Sequence, residues 1–205
     1  MGTTITIIDY GMGNLRSVQN ALHYLGVGAV ISNSAESIAS ADALVLPGVG
    51  SFRSAMLSLE STGLDQAIQD AVLTRGRKIL GICLGMQLMG TSSTEDGVTQ
   101  GLGLIPAPVE RFSDRDGRKV PHIGFNTVTA AAQSQLMRGM QDKTDFYFVH
   151  SYRMSPLGLA GRVSTCDYGG LFVAAYEQAN IFATQFHPEK SQTNGLLLLK
   201  NFLAL

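Results

Sequence analysis

Apolar residues in the first half of the chain fall into short runs separated by turns. The runs at 4–9 (TITIID) and Ala43–Leu46 (ALVL) end at glycine-containing turns, and Lys78–Cys83 (KILGIC) leads directly into the helical stretch LGMQLMG. Between these runs, apolar residues recur at helical spacing from Leu15 to Leu25 and from Leu64 to Val72. Three strand–turn–helix units predict a parallel sheet with helices on its faces.

The second half has a different pattern, with short apolar runs joined by polar or Gly/Pro loops and a final helix at 194–204. Its predicted strands are 104–112, 119–129, 145–154, 162–167, 171–177 and 180–186. No repeat or linker separates the halves, so residues 1–205 are predicted to form one α/β domain. We expect three layers: a mostly parallel central sheet, helices on both faces, and antiparallel strands added by the second half.

Composition narrows the classes of function. Net charge is −1 and charged residues make up 15% of the chain, below the usual level of about 25%, so neither nucleic acid nor an anionic membrane is an expected partner. No apolar run reaches the length of a membrane span. Two cysteines cannot form a disulfide framework, and a reducing cytoplasm is the expected compartment. The 23 glycines exceed the usual share and need a local explanation.

The most informative motif is Gly81-Ile82-Cys83-Leu84-Gly85, between a predicted strand and a predicted helix. This G-x-C-x-G pattern is similar to the elbow that presents a nucleophile, where flanking glycines permit a sharp turn. A thiol at a helix N-terminus meets partial positive charge, which favours the thiolate, and the Leu84 backbone N–H becomes an oxyanion donor. The alternative is a buried structural cysteine at a strand end, but the two glycines favour the nucleophile.

A nucleophilic thiol needs a base, and His187 in the segment QFHPEK is the favoured histidine. Extended backbone places residues i and i+2 on one face, and the following proline favours that backbone. Glu189 can therefore reach the imidazole and fix its tautomer. His122 and His150 lie in predicted strands without a carboxylate two or three positions away. Cys83, His187 and Glu189 are thus the predicted triad.

The turn Pro47-Gly48-Val49-Gly50 follows a predicted core strand. Backbone N–H groups of Val49 and Gly50 are candidates for the second oxyanion donor; the alternative is a plain strand–helix turn. Because glycine flanks it, the Val49 peptide can reorient cheaply. We therefore hypothesise an oxyanion hole that is completed on demand.

No cofactor or metal motif accompanies these residues. The pair Gly11-x-Gly13 follows the first strand, but the dinucleotide fingerprint requires glycine where Arg16 stands. His122 and Cys166 are single and far apart in sequence, which makes a poor metal site. We expect neither a cofactor nor a metal.

Together, PGVG at 47–50, GICLGMQ at 81–87 and QFHPE at 185–189 resemble the class I (triad) glutamine amidotransferase family. Within it, DYGMGN (9–14), PHIGFN (121–126), YFVHSY (147–152) and HPEKSQ (187–192) are similar to the glutaminase subunits of imidazole glycerol phosphate synthase. The resemblance implies a histidine-biosynthesis heterodimer. In it, ammonia cut from glutamine passes to a barrel-shaped cyclase subunit, which makes imidazole glycerol phosphate and aminoimidazole carboxamide ribonucleotide.

The resemblance also assigns roles to further residues. Those implied to hold the amino-acid end of glutamine are Gln87, Glu95, Ser151 and Tyr152. Those implied to face the cyclase are Tyr10, Gly11, Met12, Asn14, Pro121, His122, Phe125 and Asn126. The family usually has tryptophan where Phe125 stands, and a bulkier apolar-acidic stretch after Gln87.

Three alternatives stay open at this point. The first is a triad glutaminase of the anthranilate- or aminodeoxychorismate-synthase type, against which DYGMGN and PHIGFN argue. The second is a cysteine peptidase or general hydrolase on a similar sheet. The third is a non-catalytic scaffold that retains the fold. Activity with glutamine and with the cyclase separates them.

Overall fold

Thirteen strands and six α-helices are present in the residues that the computed structural model describes, 4–113 and 119–205. The strands are β1 (Ile5–Ile8), β2 (Ala29–Ser32), β3 (Ala43–Gly48), β4 (Lys78–Cys83), β5 (Ser92–Ser93), β6 (Thr99–Gln100), β7 (Val109–Arg111), β8 (His122–Thr129), β9 (Lys143–His150), β10 (Tyr152–Met154), β11 (Arg162–Asp167), β12 (Leu171–Gln178) and β13 (Ile181–Thr184). The α-helices are α1 (Leu15–Tyr24), α2 (Ala35–Ser40), α3 (Phe52–Thr62), α4 (Leu64–Gln69), α5 (Leu84–Leu88) and α6 (Gln192–Ala204). A π-helical turn, Asp70–Thr74, continues α4, and a 3₁₀ turn, Pro188–Lys190, precedes α6.

The main sheet has a parallel half and an antiparallel half. Across the described residues its nine strands run in the order β2-β1-β3-β4-β13-β12-β11-β8-β9. The first five are mutually parallel, and β12, β11, β8 and β9 add antiparallel neighbours. A smaller sheet has the order β10-β7-β5-β6. The predicted α/β class, with strands added by the second half, is confirmed.

Side chains that alternate along the central strands build a core on each face of the sheet. In β3, Leu44 and Leu46 belong to one core while Ala43 and Val45 belong to the other. Helices α2, α3, α4 and α5 contribute to the first core, and α1 and α6 to the second. Helices therefore cover both faces, as predicted.

Several predicted boundaries were wrong. Only Val109–Arg111 of the predicted strand 104–112 is a strand, and 145–154 is two strands, β9 and β10, in different sheets. Strand β2 and helix α2 were not predicted, because four and six residues are too few to show a clear period. Ser34 begins α2 by accepting a hydrogen bond from the Ser37 N–H.

The parallel strands β3, β4 and β13 end together at one edge of the sheet. Gly48 lies beside Cys83, and Thr184 lies beside Ile82. The chain beyond Thr184 leads directly to His187, so the topology brings the predicted triad to the carboxyl edge, where open α/β sheets bind ligands.

Within residues 4–113 and 119–205, none of the helices has the length and apolar character that a membrane crossing requires.

Candidate active site

Cys83 occupies a strained turn between β4 and α5. Its φ of 55° and ψ of −110° lie outside the ordinary regions for a residue with a side chain, a conformation that costs about 1–3 kcal/mol. The flanking glycines are sterically required. A Cβ at position 81 would lie 2.4 Å from Met89 Sδ, and one at position 85 would lie 1.7 Å from the Leu46 carbonyl oxygen. The glycines thus let α5 pack on the sheet and hold the thiol at its edge.

We expect Gly85→Ala to destabilise the protein by about 3 kcal/mol or more, because backbone rather than a flexible side chain blocks the new methyl group. Gly28→Ala is the matched control, since nothing lies within 4 Å of the added Cβ there; its stability should stay within about 0.5 kcal/mol of wild type. Denaturant unfolding of the two variants measures the difference. Equal stabilities would refute this account of the elbow.

His187 and Glu189 form a buried pair beside the thiol. Nδ1 of His187 lies 2.7 Å from Oε1 of Glu189, and the two side chains are 2% and 1% exposed. His187 is extended, with φ −96° and ψ 98°, as predicted from the proline that follows. Its backbone N–H donates to the Tyr147 carbonyl at 2.9 Å, which fixes the segment to β9. The imidazole therefore has one nitrogen oriented by a carboxylate, leaving Nε2 for the thiol.

Charge and hydrogen bonding favour the imidazolium form of His187. Burial lowers the pKa of His187. Hydrogen bonding to Cys83 and Glu189 and the negative charge of both have the larger, opposite effect and raise this pKa to about 10. Nε2 has no hydrogen bond of ordinary geometry within the described residues, yet Cys83 is close enough to act on the ring's pKa. The arrangement places an imidazolium beside the sulfur of Cys83, with a proton available for transfer.

A cavity of about 450 Å³ opens at the Cys83 thiol. Its lining includes the predicted nucleophile and every residue that the sequence predicted for substrate binding and for the oxyanion hole, together with four others. The predicted ones are Cys83, Val49, Gly50, Leu84, Gln87, Glu95, Ser151 and Tyr152, and the others are Val149, His150, Lys190 and Pro121, which was predicted to face the partner. The volume and the mixture of apolar and polar walls suit a small polar molecule.

The side chain of Gln87 is fixed on one wall of this cavity. Its Nε2 donates to the Tyr152 carbonyl and to Oε1 of Gln185, each at 3.0 Å. Nε2 of Gln185 in turn donates to Sγ of Cys83 at 3.8 Å. Gln185 is fully buried and was not predicted as a site residue, although it lies within the quoted motif QFHPE. Its proximity to the thiol required the fold.

Glu95 joins the cavity to the first turn of α3. Its Oε2 accepts from the Phe52 N–H at 2.8 Å, so its negative charge lies at the positive end of the helix. Burial raises the pKa of Glu95, the bond from Phe52 lowers it, and the charge of Asp96 raises it again. The neighbouring Asp96 accepts from the Ser51 hydroxyl at 2.7 Å. These contacts fasten a carboxylate beside the Val49–Gly50 turn.

The segment before the Val49–Gly50 turn is held by Tyr10, whereas the side chain of Val49 is exposed. Oη of Tyr10 donates to the Pro47 carbonyl at 2.9 Å, and a Cβ at Gly48 would lie 2.3 Å from that hydroxyl. Gly50 has φ +111°, which a side chain rarely tolerates. Val49 is 42% exposed. The geometry is compatible with the hypothesis of a mobile Val49 peptide, which stays a prediction.

The residues predicted to face a partner have different degrees of exposure. Phe125 is 52% exposed on β8 and packs against Tyr147, and Gly11 and Pro121 are exposed as well. Met12, Asn14 and Asn126 are intermediate, whereas Tyr10 and His122 are buried. Any effect of these two on a partner would thus be indirect. The other residues of the set stay predictions as contact residues.

Among residues 4–113 and 119–205, no group of three or more His, Cys, Asp or Glu side chains is placed to hold a metal ion.

Comparison with known proteins gives a consistent family. Residues 6–205 match the family "Glutamine amidotransferase class-I". A HisH subunit of imidazole glycerol phosphate synthase from Geobacter sulfurreducens is 47% identical over 98% of both chains. The subunit HisH 2 from Pseudomonas aeruginosa is 43% identical over 98% of this chain and 99% of its own.

Solved structures show the same fold at lower identity. A crystal structure of a glutamine amidotransferase superposes with a TM-score of 0.75 at 22% identity, covering 97% of both chains. PurLQS from Thermotoga maritima gives 0.74 at 16% identity, covering 100% of this chain and 99% of its own. The chain therefore belongs to the class-I glutamine amidotransferase family, in the group that includes the HisH subunits of imidazole glycerol phosphate synthase.

Proposed function

We propose that this chain is the glutaminase subunit of an imidazole glycerol phosphate synthase. It hydrolyses glutamine to glutamate and ammonia and delivers the ammonia to a cyclase subunit. That subunit makes imidazole glycerol phosphate and aminoimidazole carboxamide ribonucleotide in histidine biosynthesis. The observation that carries the proposal is the Cys83 elbow, strained at φ 55°, beside the buried His187–Glu189 pair. The full-length HisH relatives support the choice of pathway.

The proposed reaction begins at Cys83. Its thiolate attacks the carbon of the glutamine side-chain amide, and the negative charge moves to the amide oxygen. Leu84 and the Val49–Gly50 turn line the same cavity, and their backbone N–H groups are proposed to stabilise that oxyanion. His187 gives its proton to the departing nitrogen, which leaves as ammonia, and a thioester remains. Water then attacks the thioester while His187 takes its proton, and glutamate and the free thiol form.

The cavity walls supply contacts for the amino-acid end of glutamine. Glu95 offers a carboxylate for the substrate ammonium. Ser151 and Tyr152 line the same cavity and offer further polar groups. The positive charge of the bound substrate ammonium favours the carboxylate form of Glu95. It therefore counteracts burial, which raises the pKa of Glu95. These roles follow from the lining of the cavity and the family motifs.

A partner is physically sensible because ammonia protonates in bulk water and then no longer acts as a nucleophile. Transfer to the cyclase must therefore be shielded, which requires a heterodimer. The exposed Phe125 and Ile123, 52% and 60% accessible on one strand, provide apolar surface beside the cavity residue Pro121. We propose that the whole chain acts as one domain in this complex, in the cytoplasm.

The test is ammonia release from glutamine by the chain alone and with purified cyclase plus its nucleotide ligand. We expect low activity alone and stimulation of roughly tenfold or more in the complex, within the usual range of coupling between sites. Equal rates in both would contradict the coupling. Stimulation by an anthranilate-synthase partner would favour that class of glutaminase, and cleavage of peptides without glutamine turnover would identify a peptidase.

A further inference from the structure

A row of polar groups lies beside the cavity, outside the triad. Nδ1 of His150 is 2.8 Å from the Tyr152 carbonyl oxygen, and Nε2 of His150 is 3.0 Å from Nδ1 of His122. Nε2 of His122 is 3.2 Å from Nδ2 of Asn126. Both imidazoles are buried, at 3% and 5% exposure. We call Asn126, His122, His150 and the Tyr152 carbonyl the histidine relay.

Donor and acceptor roles in the histidine relay follow from its two ends. A carbonyl only accepts, so Nδ1 of His150 carries a hydrogen. Burial lowers the pKa of His150 to about 3, so its ring is neutral and Nε2 accepts from His122. Oδ1 of Asn126 accepts from the Thr127 N–H at 2.8 Å, which directs the amide NH₂ towards His122. His122 therefore accepts through Nε2, and each bond donates towards Tyr152.

Aromatic packing holds the two imidazoles in these orientations. The ring of His122 stacks on Tyr168 and Phe148, with centroids 3.9 and 4.8 Å apart. The ring of His150 packs on Phe172 at 5.1 Å. Burial disfavours the charged form of the His150 ring, and close packing opposes rotation of either imidazole. The hydrogen-bond direction is therefore built into the fold.

The histidine relay ends at the connection between strands β9 and β10. Strand β9 ends at His150, β10 begins at Tyr152, and Ser151 between them belongs to neither. The Tyr152 carbonyl accepts from both His150 and Gln87, and the Ser151 carbonyl accepts from the Phe112 N–H at 3.0 Å. Two side chains thus fix the carbonyl that sets the path of the Ser151–Tyr152 wall.

We propose that His150 and His122 are positioning residues that hold the Ser151–Tyr152 wall in the conformation that binds glutamine. The proposal rests on the glutaminase function proposed above. The histidine relay also joins the Ser151–Tyr152 wall to β8, because Asn126 begins the relay next to the exposed Phe125. The strand predicted to meet the cyclase is therefore connected to the glutamine pocket through three hydrogen bonds.

The kinetic test compares two substitutions of one residue. His122→Phe keeps a flat ring for stacking and removes the donor to His150, so we expect KM for glutamine to rise about tenfold while kcat falls less than about threefold. His122→Asn restores an N–H near the position of Nδ1 and should recover most of the loss. Tyr168→Phe is the control, because it keeps the ring that stacks on His122 and removes the hydroxyl that donates to the Lys119 carbonyl. Its KM should match wild type.

An unchanged KM in His122→Phe, or equal defects in the Phe and Asn variants, would overturn the proposal, since loss of packing alone lowers stability without selecting KM. Imidazole ¹⁵N NMR tests the histidine relay without activity: His150 should be the neutral Nδ1–H tautomer from about pH 6 to 8. A charged ring or the opposite tautomer would also overturn it. Wild-type protein that releases no ammonia would instead contradict the glutaminase function, and the NMR result would still decide the relay.

Discussion

Replacing Cys83 with alanine should abolish ammonia release from glutamine, by a factor on the order of 10⁴ or more, because Cys83 supplies the one thiol among the described residues that line the cavity. The fold should persist. Alanine removes one sulfur atom, and the glycines at positions 81 and 85 still allow α5 to pack. Steady-state ammonia release and thermal unfolding measure the two properties. Binding of the cyclase should be unchanged.

Cys166→Ala is the matched control for this loss. Cys166 is also buried, in β11, and burial raises its pKa to about 12, with the charge of Asp167 adding to the effect. A thiol held protonated is a poor nucleophile, so this variant should keep wild-type turnover. Alkylation of the wild-type protein should likewise modify Cys83 first. Activity that survives in Cys83→Ala would show that the central assignment is wrong.

The parts of the fold that sequence predicts are those with a strong local signal. Strand β4 has the predicted bounds, Lys78–Cys83, because an aliphatic run meets a glycine-bounded turn there. The His187–Glu189 contact was predicted as well, because extended backbone before a proline sets the spacing of two adjacent side chains. Both depend on interactions within a few residues.

The missed parts depend on contacts between distant segments. Gln185 reaches the thiol only because β13 lies beside β4. His150 was set aside for lack of a neighbouring carboxylate, yet its partners are His122, across the β8–β9 pair, and the Tyr152 carbonyl. Pairing of strands far apart in sequence decides such contacts, and short-range patterns do not encode it.

Glu189→Gln should reduce kcat/KM by about 10³, because the carboxylate both orients the His187 ring and stabilises its positive charge. The amide is similar in size and can still accept one hydrogen bond, so the loss reports charge and tautomer more than packing. We expect the pKa of His187 to fall, since hydrogen bonding to Glu189 and its charge are among the causes that raise it. Kinetics over pH and a histidine NMR titration measure these two effects. Wild-type kcat/KM in this variant would contradict the assigned role.

Glu177→Gln is the control, because Glu177 is also a buried carboxylate but accepts from the Gln135 and Leu136 N–H groups, and neither Glu177 nor these partners line the cavity. It should lose about 1–3 kcal/mol of stability and keep its activity.

The dependence of stability on pH should also differ between the two variants. The pKa of His187 is raised from 6.5 to about 10, so between these values only the folded state holds the proton. The contribution of protonated His187 to the stability of the folded state is complete below pH 6.5 and is lost as pH rises towards 10. Glu189→Gln should flatten that decline, whereas Glu177→Gln should leave its slope unchanged.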